Sequence, residues 1–234
     1  MQLKRTFLSW AGPLFVTFST TGISAVTPTM PDAGRQTVMI IDTFSGCTER
    51  GGTIPCGWHP SRNDVSMYSM VHENGKFFTH ISTTGGCTSI GKLFAYSAND
   101  YPVLKWVWRV NKLPEGGNET IKRKNDSGAA IYVIFKGRLK LNNIIKYVWS
   151  SSLDIGTVTP SPYNGRTRIV VLESGPSLCG RWIHERVNVH DDYERLFGAI
   201  PPPIEGIGML SDSDNTDSPV SADYGDITVQ DMME

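Results

Sequence analysis

Apolar and polar residues alternate along short runs over most of this chain, and that alternation constrains the fold more than any other feature. In the run Val103–Val110, one face carries Leu104, Trp106, Trp108 and Val110. Successive side chains of a strand point to opposite faces, so the run predicts a strand with one buried face. Further β-branched or aromatic runs predict strands at Thr37–Asp42, Val65–Val71, Lys76–Ile81, Ile90–Tyr96, Ala129–Phe135, Ile144–Trp149, Thr167–Leu172, Arg181–Val187, Ile204–Leu210 and Tyr224–Val229.

One stretch has convincing helical periodicity. Asn188 or Asp191 can cap a helix over Val189–Phe197, Gly198 ends it, and the prolines at 201–203 prevent its continuation. A parallel sheet needs helices between most of its strands, and this sequence lacks them. The sequence therefore predicts an all-β fold, an antiparallel β-sandwich of jelly-roll type with one short helix.

The N-terminal residues have the features of an export signal. Lys4 and Arg5 precede the mostly apolar run Phe7–Phe18, and small residues lead to Ala25. The alternative interpretation is an uncleaved anchor or a buried helix. We predict a signal peptide at 1–25, a linker at 26–36, one β-sandwich domain at 37–230 and a tail at 231–234. The mature protein is then periplasmic or secreted, with no transmembrane segment after signal removal.

The cysteines are an even set, which permits disulfides in an oxidising compartment. Cys47 and Cys56 flank a loop rich in glycine and proline, and we predict that they form a bridge. Cys87 and Cys179 are the remaining pair, although four cysteines allow three connectivities. No CxxC spacing occurs, which argues against a metal site built from thiolates.

The charge balance excludes one class of partner. The net charge is −1, so the chain has no electrostatic footprint for nucleic acid. The polar stretch Leu113–Gly128 contains three consecutive basic residues and predicts a solvated loop.

The most acidic segment links the last two predicted strands. It contains Asp212, Asp214, Asn215, Asp217 and Asp223. Like charges this close repel one another unless a cation, arginines or the hydroxyls of a ligand gather them. The spacing partly fits an EF-hand loop, but Asp217 stands where that loop needs glycine and no helices flank it. The remaining interpretations are a site for a cation or sugar hydroxyls, and a solvated loop.

A second polar group lies at the junction of a predicted strand and the helix, namely Glu185, Arg186, Asp192 and Tyr193. Two carboxylates in this place can act as acid and base on a glycosidic bond. Arg186 can keep one of them ionised or bind an acidic sugar. The alternative is a salt-bridged junction that only stabilises the fold.

Three aromatic residues, Tyr147, Trp149 and Trp182, are candidates for contact with a ligand. Sugar faces are apolar and stack well on aromatic rings. Trp149 precedes three serines at a predicted strand end, and Trp182 has charged neighbours. Burial in the core is the alternative for each.

Several motifs together resemble a known family. Their order is Tyr-Pro-Val-Leu-Lys-Trp-Val-Trp (101–108), Ala-Ala-Ile-Tyr-Val-Ile-Phe (129–135), Tyr-Val-Trp-Ser (147–150), Glu-Arg-Val-Asn-Val-His-Asp-Asp-Tyr-Glu-Arg-Leu-Phe-Gly (185–198), Asp-Ser-Asp-Asn-Thr (212–216) and Tyr-Gly-Asp-Ile (224–227). From about Asp42 to Val229 the chain resembles the exported bacterial family known as domain of unknown function 3047. The segment 125–128 departs from the more acidic one expected there, and the family name supplies no activity.

The chain ends also resemble galactose-binding-like jelly rolls, a fold that many carbohydrate-binding modules have. The segments concerned are Ile41-Asp42-Thr43-Phe44 and Asp226-Ile227. The resemblance implies that the first and last strands are neighbours and share a structural calcium, with Asp42 and Asp226 as oxygen ligands. The alternative is that both aspartates serve turns at strand ends. Ca²⁺ is the only cofactor that the sequence suggests.

These observations predict an exported β-sandwich protein that binds a saccharide or cell-envelope glycan through one acidic and aromatic cleft. The residues predicted to line this cleft are Tyr147, Trp149, Trp182, Arg186, Asp192, Tyr193, Asp212, Asp214 and Asn215. The first alternative is a glycoside hydrolase or polysaccharide lyase that uses carboxylates among Glu185, Asp192, Asp212 and Asp214. The second alternative is a structural or partner-binding envelope protein.

Overall fold

The structure is a computed structural model that describes residues 37–45, 47–49 and 52–232. The predicted signal peptide (1–25) and linker (26–36) lie outside these residues. Within them, no helix is long and apolar enough to cross a membrane.

The described residues form 15 strands and one α-helix. The strands are β1 (Val38–Asp42), β2 (Thr48–Glu49), β3 (Ile54–Pro55), β4 (Trp58–Pro60), β5 (Tyr68–Glu73), β6 (Lys76–Thr84), β7 (Ile90–Tyr96), β8 (Val103–Lys112), β9 (Ala129–Phe135), β10 (Asn143–Ser150), β11 (Val158–Pro160), β12 (Thr167–Ser174), β13 (Ile183–Asn188), β14 (Ile204–Leu210) and β15 (Pro219–Gln230). Helix α1 spans Val189–Phe197, and short 3-10 turns occur at Lys122–Lys124 and Arg138–Lys140.

Two sheets pack face to face, and the predicted β-sandwich is confirmed. The first sheet has the order β13-β8-β15-β6-β5, with β1 also paired to β15. The second has the order β11-β12-β10-β9-β14-β7-β4. The pairs are antiparallel except for β10 and β12, which run parallel within the described chain.

The core between the sheets is built from aromatic residues at alternate strand positions. Trp106 and Trp108 of β8 face Tyr147 and Trp149 of β10, and each of the four is at most 2% exposed. The ring centroids of Trp106 and Tyr147 are 5.7 Å apart, and those of Trp108 and Trp149 are 6.3 Å apart. Large buried rings contribute strongly to core stability, so this contact holds the two sheets together.

Strand β15 runs through the middle of the first sheet. Along one side it pairs with β8, and along the other it pairs with β6 and then with β1. The register of the last pair places Val38 opposite Gln230 and Asp42 opposite Ile227. The prediction that the first and last strands are neighbours is therefore confirmed.

The predicted helix is confirmed with its caps. The side chain of Asn188 accepts hydrogen bonds from the backbone N–H groups of His190 and Asp191. These bonds satisfy donors that have no partner within the helix. Gly198 has a φ of 68°, the left-handed conformation that commonly ends a helix.

One of the two predicted disulfides is present. Cys47 and Cys56 are bonded, with Cα atoms 5.3 Å apart, so that prediction is confirmed. The prediction of a Cys87–Cys179 bridge is wrong, because both thiols are free. Cys87 lies between β6 and β7 beside the Asp214 carboxylate, whereas Cys179 lies between β12 and β13 and packs against the core.

The same substitution at a buried and at an exposed isoleucine tests which positions belong to the sandwich core. Ile131 is fully buried in β9, and Ile40 is 60% exposed in β1. Ile131→Val should lower the free energy of unfolding by about 0.5–1.5 kcal/mol, because it leaves a small cavity. Ile40→Val is the matched control and should change it much less. Urea denaturation measures both, and equal losses would contradict this assignment of core and surface.

Candidate functional site

Three aspartates form a compact group at one end of the second sheet. One carboxylate oxygen from each of Asp126, Asp212 and Asp214 lies within 4.8 Å of the other two. Asp126 and Asp212 are buried, and Asp214 is half-buried. We call these three residues the acidic cluster. It brings together two of the predicted site residues with Asp126, which was not among them.

Hydrogen bonds join the two loops that carry the cluster. Asp126 accepts hydrogen bonds from the backbone N–H groups of Asn215 (3.2 Å) and Thr216 (2.7 Å). The backbone N–H of Ser127 donates to Oδ1 of Asp212 over 2.9 Å. Asn215, another predicted site residue, therefore contacts the cluster and is half-buried beside it.

The loop that contributes Asp126 is only partly solvated. The prediction of a solvated loop over Leu113–Gly128 agrees with the exposed residues 120–124 but is wrong for Glu119, Asn125 and Asp126, which are buried. Oε2 of Glu119 accepts a 2.6 Å hydrogen bond from Ser150 at the end of β10. Polar composition suggested solvent exposure here, but buried hydrogen-bond partners instead hold the loop against the second sheet.

Lys146 lies beneath this loop. It is 5% exposed, and its Nζ donates to Oγ of Ser127 over 3.0 Å. The ammonium also lies 5.5 Å from the centre of the Tyr132 ring. Burial would lower the pKa of Lys146, but Tyr132, Asp212 and Glu119 outweigh burial and raise it. Lys146 therefore stays charged inside the protein.

The carboxyl of Asp212 has an altered proton affinity. Burial raises its pKa to about 7, and the nearby carboxylates of Asp126 and Asp214 add to this increase. Lys146 and the N–H of Ser127 act in the opposite direction. The buried carboxyl of Asp212 therefore binds a proton more readily than an exposed aspartate does.

The predicted residues at the strand–helix junction lie elsewhere. The Asp192 carboxylate accepts a 2.7 Å hydrogen bond from the Tyr147 hydroxyl and also contacts Arg195. Tyr193 is buried, and its hydroxyl accepts a hydrogen bond from Asn143. Arg186 is exposed on β13, opposite Lys105 of β8.

The second sheet separates Asp192 from the acidic cluster. Lys146 and Tyr147 are consecutive on β10, so their side chains point to opposite faces of the sheet. Asp212 acts on Lys146, whereas Asp192 bonds Tyr147. The structure therefore does not unite the two acidic groups in the single cleft predicted from the sequence.

Glu185 lies on the inward side of β13. Its Oε1 accepts a hydrogen bond from Nε1 of Trp108 over 3.1 Å. Burial raises its pKa to about 7, and the carboxylate of Glu173 adds to the increase, while the Trp108 bond opposes it. Glu185 can therefore hold a proton near neutral pH, as a general acid must.

Tyr147 and Trp149 belong to the core. Both are completely buried, and Nε1 of Trp149 donates to the backbone carbonyl of Gly175. Neither ring presents a free face to a ligand. Both were predicted from the sequence to line the ligand cleft, but the inward phase of β10 places them in the core, which was the alternative for each.

Trp182 lies at an open groove on the outer face of the first sheet. The guanidinium carbon of Arg109 is 4.7 Å from the centre of the Trp182 ring and 5.5 Å from that of Phe78. The groove has a volume of about 410 Å³ and is lined by Val71, His72, Glu73, Phe78, His80, Arg109, Asn111 and Asp223. We call it the Arg109 groove.

A buried carboxylate organises the floor of this groove. Asp223 is 1% exposed and contacts Nδ1 of His80 (2.6 Å), Nε of Arg109 (2.7 Å) and Nδ2 of Asn111 (2.7 Å). Burial would raise the pKa of Asp223, but hydrogen bonds from these three side chains outweigh burial and lower it. Asp223 therefore remains an ionised anchor for Arg109.

Most residues of the Arg109 groove were not among the site residues predicted from the sequence. Asp223 was assigned to the acidic loop, but β15 begins at Pro219 and places Asp223 within the strand, opposite Arg109. The alternation along β8 could have indicated part of the groove, because it places Arg109 and Asn111 at outward positions between buried residues. The pairing of β8 with β15 could not be obtained from that alternation.

The Asp42 carboxylate already has three partners. It accepts hydrogen bonds from Nζ of Lys92 (2.7 Å), Nε1 of Trp58 (2.8 Å) and the backbone N–H of Phe44 (2.7 Å). Asp226 is exposed on the neighbouring strand. Since Lys92 balances the charge of Asp42, these contacts do not favour the predicted calcium site, which stays a prediction.

The fold and the Arg109 groove define a β-sandwich protein with a polar and aromatic groove on the outer face of one sheet. The family model described as Protein of unknown function (DUF3047) matches residues 57–228, and the chain belongs to this family. No curated protein sequence matches the chain.

Several solved structures are similar in fold. The carbohydrate recognition domain of Emp47p has 12% identity and a TM-score of 0.42, covering 86% of this chain and 99% of that one. A family 30 carbohydrate-binding module from Clostridium thermocellum has 12% identity and a TM-score of 0.41, covering 78% and 91%. The family GH12 endoglucanase 3 of Trichoderma harzianum has 10% identity and a TM-score of 0.41, covering 86% and 99%. These similarities concern architecture and do not assign a function.

Substitution of Glu185 tests its proton affinity. Its folded-state pKa of about 7 exceeds the ordinary value of about 4.3, so between these values the folded protein holds a proton that the unfolded chain has released. Stability should therefore fall as pH rises through this window, and Glu185→Gln should reduce the slope. Thermal melts across the window measure it. The control is Glu194→Gln at an exposed position of α1, and equal slopes in wild type and Glu185→Gln would contradict the raised pKa.

Proposed function

We propose that this protein binds a saccharide in the Arg109 groove. A sugar offers an apolar face, which stacks on aromatic rings, and hydroxyls, which need fixed hydrogen-bonding partners. The groove supplies both kinds of contact. Trp182, half-buried beside the groove and against Arg109, provides aromatic surface, and Arg109, His80 and Asn111 provide polar groups.

The observation that carries the proposal is the immobilised guanidinium of Arg109. Asp223 holds it by Nε, and two aromatic rings lie against it. The Nε side of the guanidinium is therefore bound within the protein by Asp223. On the other side, Nη2 is 3.5 Å from the Glu73 carboxylate at the exposed rim of the groove. Because the donors are held in place before binding, a ligand loses less entropy in ordering them.

The cellular setting of this proposal is the periplasm or the exterior. The Cys47–Cys56 disulfide is typical of oxidising compartments. A cell-envelope glycan is the saccharide class that a protein exported by the predicted signal peptide meets there.

Glycoside hydrolysis is a second candidate function. Burial raises the pKa of Glu185 to about 7, and the carboxylate of Glu173 adds to the increase. A protonated and an ionised carboxyl are the pair that glycosidases use. Because Glu185 lies on the inward side of β13 and the Arg109 groove on the outer face, this activity would use a site separate from the groove. Glycan cleavage that Glu185→Gln abolishes, while the fold is retained, would establish it.

A glycan array followed by calorimetry with the best ligand tests the binding proposal. Trp182→Ala and Arg109→Lys should each weaken binding tenfold or more, equivalent to about 1.4 kcal/mol, because they remove a stacking face or a planar fork. The control is Phe94→Ala, which truncates a half-buried aromatic residue of the second sheet. Unchanged affinity in both groove variants, or no glycan bound by the wild type, would refute the proposal.

A further inference from the structure

The acidic cluster lacks a close positive partner. In the described part of the chain, no lysine, arginine or histidine forms an ion pair with Asp126, Asp212 or Asp214 within 4.0 Å. Two other aspartates do form ion pairs, since Asp42 pairs with Lys92 and Asp223 pairs with Arg109. Closely spaced carboxylates repel one another, and the single ammonium of Lys146, which acts on Asp212 without an ion pair, does not balance three of them.

Two buried oxygen atoms beside the cluster have no hydrogen-bond partner. Asn125, the residue before Asp126, is 7% exposed, and its Oδ1 is unpartnered. Thr216 donates its backbone N–H to Asp126, and its buried Oγ1 is also unpartnered. Buried polar atoms without a partner are uncommon and call for an ion or a water molecule. Asn125 precedes Asp126 in the chain and Thr216 hydrogen-bonds to it, so both oxygens belong to neighbours of the acidic cluster and are evidence apart from its negative charge.

We propose that Asp126, Asp212 and Asp214, together with Asn125, bind one Ca²⁺ ion. Calcium takes oxygen ligands at about 2.3–2.6 Å, so two ligands on opposite sides of the ion are about 4.6–5.2 Å apart. The three carboxylate oxygens all lie within 4.8 Å of one another and satisfy that limit. The available donors are all oxygens, which favours a hard cation over zinc.

The existing hydrogen bonds leave Asp212 and Asp214 as the more open ligands for this ion. Both oxygens of Asp126 already accept bonds from Asn215, and Oδ2 also accepts one from Thr216. Asp212 accepts the Ser127 N–H at Oδ1, and Asp214 accepts the Asn215 amide at Oδ1, so a cation can bind the remaining lone pairs of these two carboxylates. Lys146 directs its Nζ to Ser127 and forms no ion pair with Asp212 in the described residues. Asp214 is half-buried, which gives the ion a route from solvent.

The ion would connect the loop before β9 to the loop after β14. Asp126 and Asn125 lie in the first of these loops, and Asp212 and Asp214 lie in the second. Calcium preference over magnesium follows from the irregular arrangement of ligands, because magnesium requires nearly ideal octahedral geometry. The proposal does not depend on saccharide binding in the Arg109 groove, which lies on the other sheet.

Calcium titration of the metal-free full chain tests the proposal without any glycan. Calorimetry should show one site with a dissociation constant of about 10⁻³ M or tighter, the range of extracellular calcium modules. Thermal melts should shift upwards by several degrees with excess Ca²⁺, since a ligand of the folded state stabilises it. Terbium should bind at the same site and gain emission from Tyr163, whose hydroxyl is 2.7 Å from Asn215.

Two matched variants locate the ion. Asp214→Asn should weaken calcium binding tenfold or more, because it removes a charged ligand. Asp217→Asn removes an exposed carboxylate from the same loop and should leave binding unchanged; its φ of 51° also suits asparagine. Absence of saturable binding by the wild type, preference for Mg²⁺ over Ca²⁺, or equal affinity in Asp214→Asn and wild type would overturn the proposal. The wild-type titration decides the matter even if Asp214→Asn fails to fold.

Discussion

The packing of aromatic rings between the two sheets is the interaction on which the rest of this structure depends. Trp106 and Trp108 fill the inward positions of β8, and Tyr147 and Trp149 fill those of β10. Strand geometry then sends the intervening residues outwards. Arg109 is one of these outward residues on β8, and Lys146 is one on β10. The inner faces of these two strands pack in the core. The Arg109 groove and the polar residues around the acidic cluster therefore lie on the outer faces of the sheets.

Two buried aspartates show how local donors determine the charge of a carboxyl group. Burial acts on both Asp223 and Asp212 and by itself raises their pKa values. Asp223 receives bonds from three side chains, one of them a guanidinium, and its pKa is lowered. Asp212 receives a backbone N–H bond and has two carboxylate neighbours, and its pKa is raised. The first aspartate therefore stays ionised, whereas the second binds a proton more readily than an exposed aspartate does.

The parts of the structure that follow from local pattern could be predicted from the sequence. Alternation identified β8 to within two residues, and the cap at Asn188 and the stop at Gly198 identified α1. The Cys47–Cys56 bridge followed from its short loop. The parallel pairing of β10 with β12 and the position of Asp223 opposite Arg109 depend on which strands become neighbours. Alternation within one strand contains no information about that choice.

The pairing of β1 with β15 has a mechanical consequence. Val38 lies opposite Gln230, and the backbone N–H of Thr37 donates to Oδ2 of Asp231, so residues 37 and 231 leave the sheet side by side. A pulling force applied to both residues would act across this ladder and break its hydrogen bonds one after another from the Val38 end. Strands loaded in that direction open like a zipper and resist less than strands sheared along their length. Under tension, β1 would peel away first while the aromatic core between the sheets stayed intact.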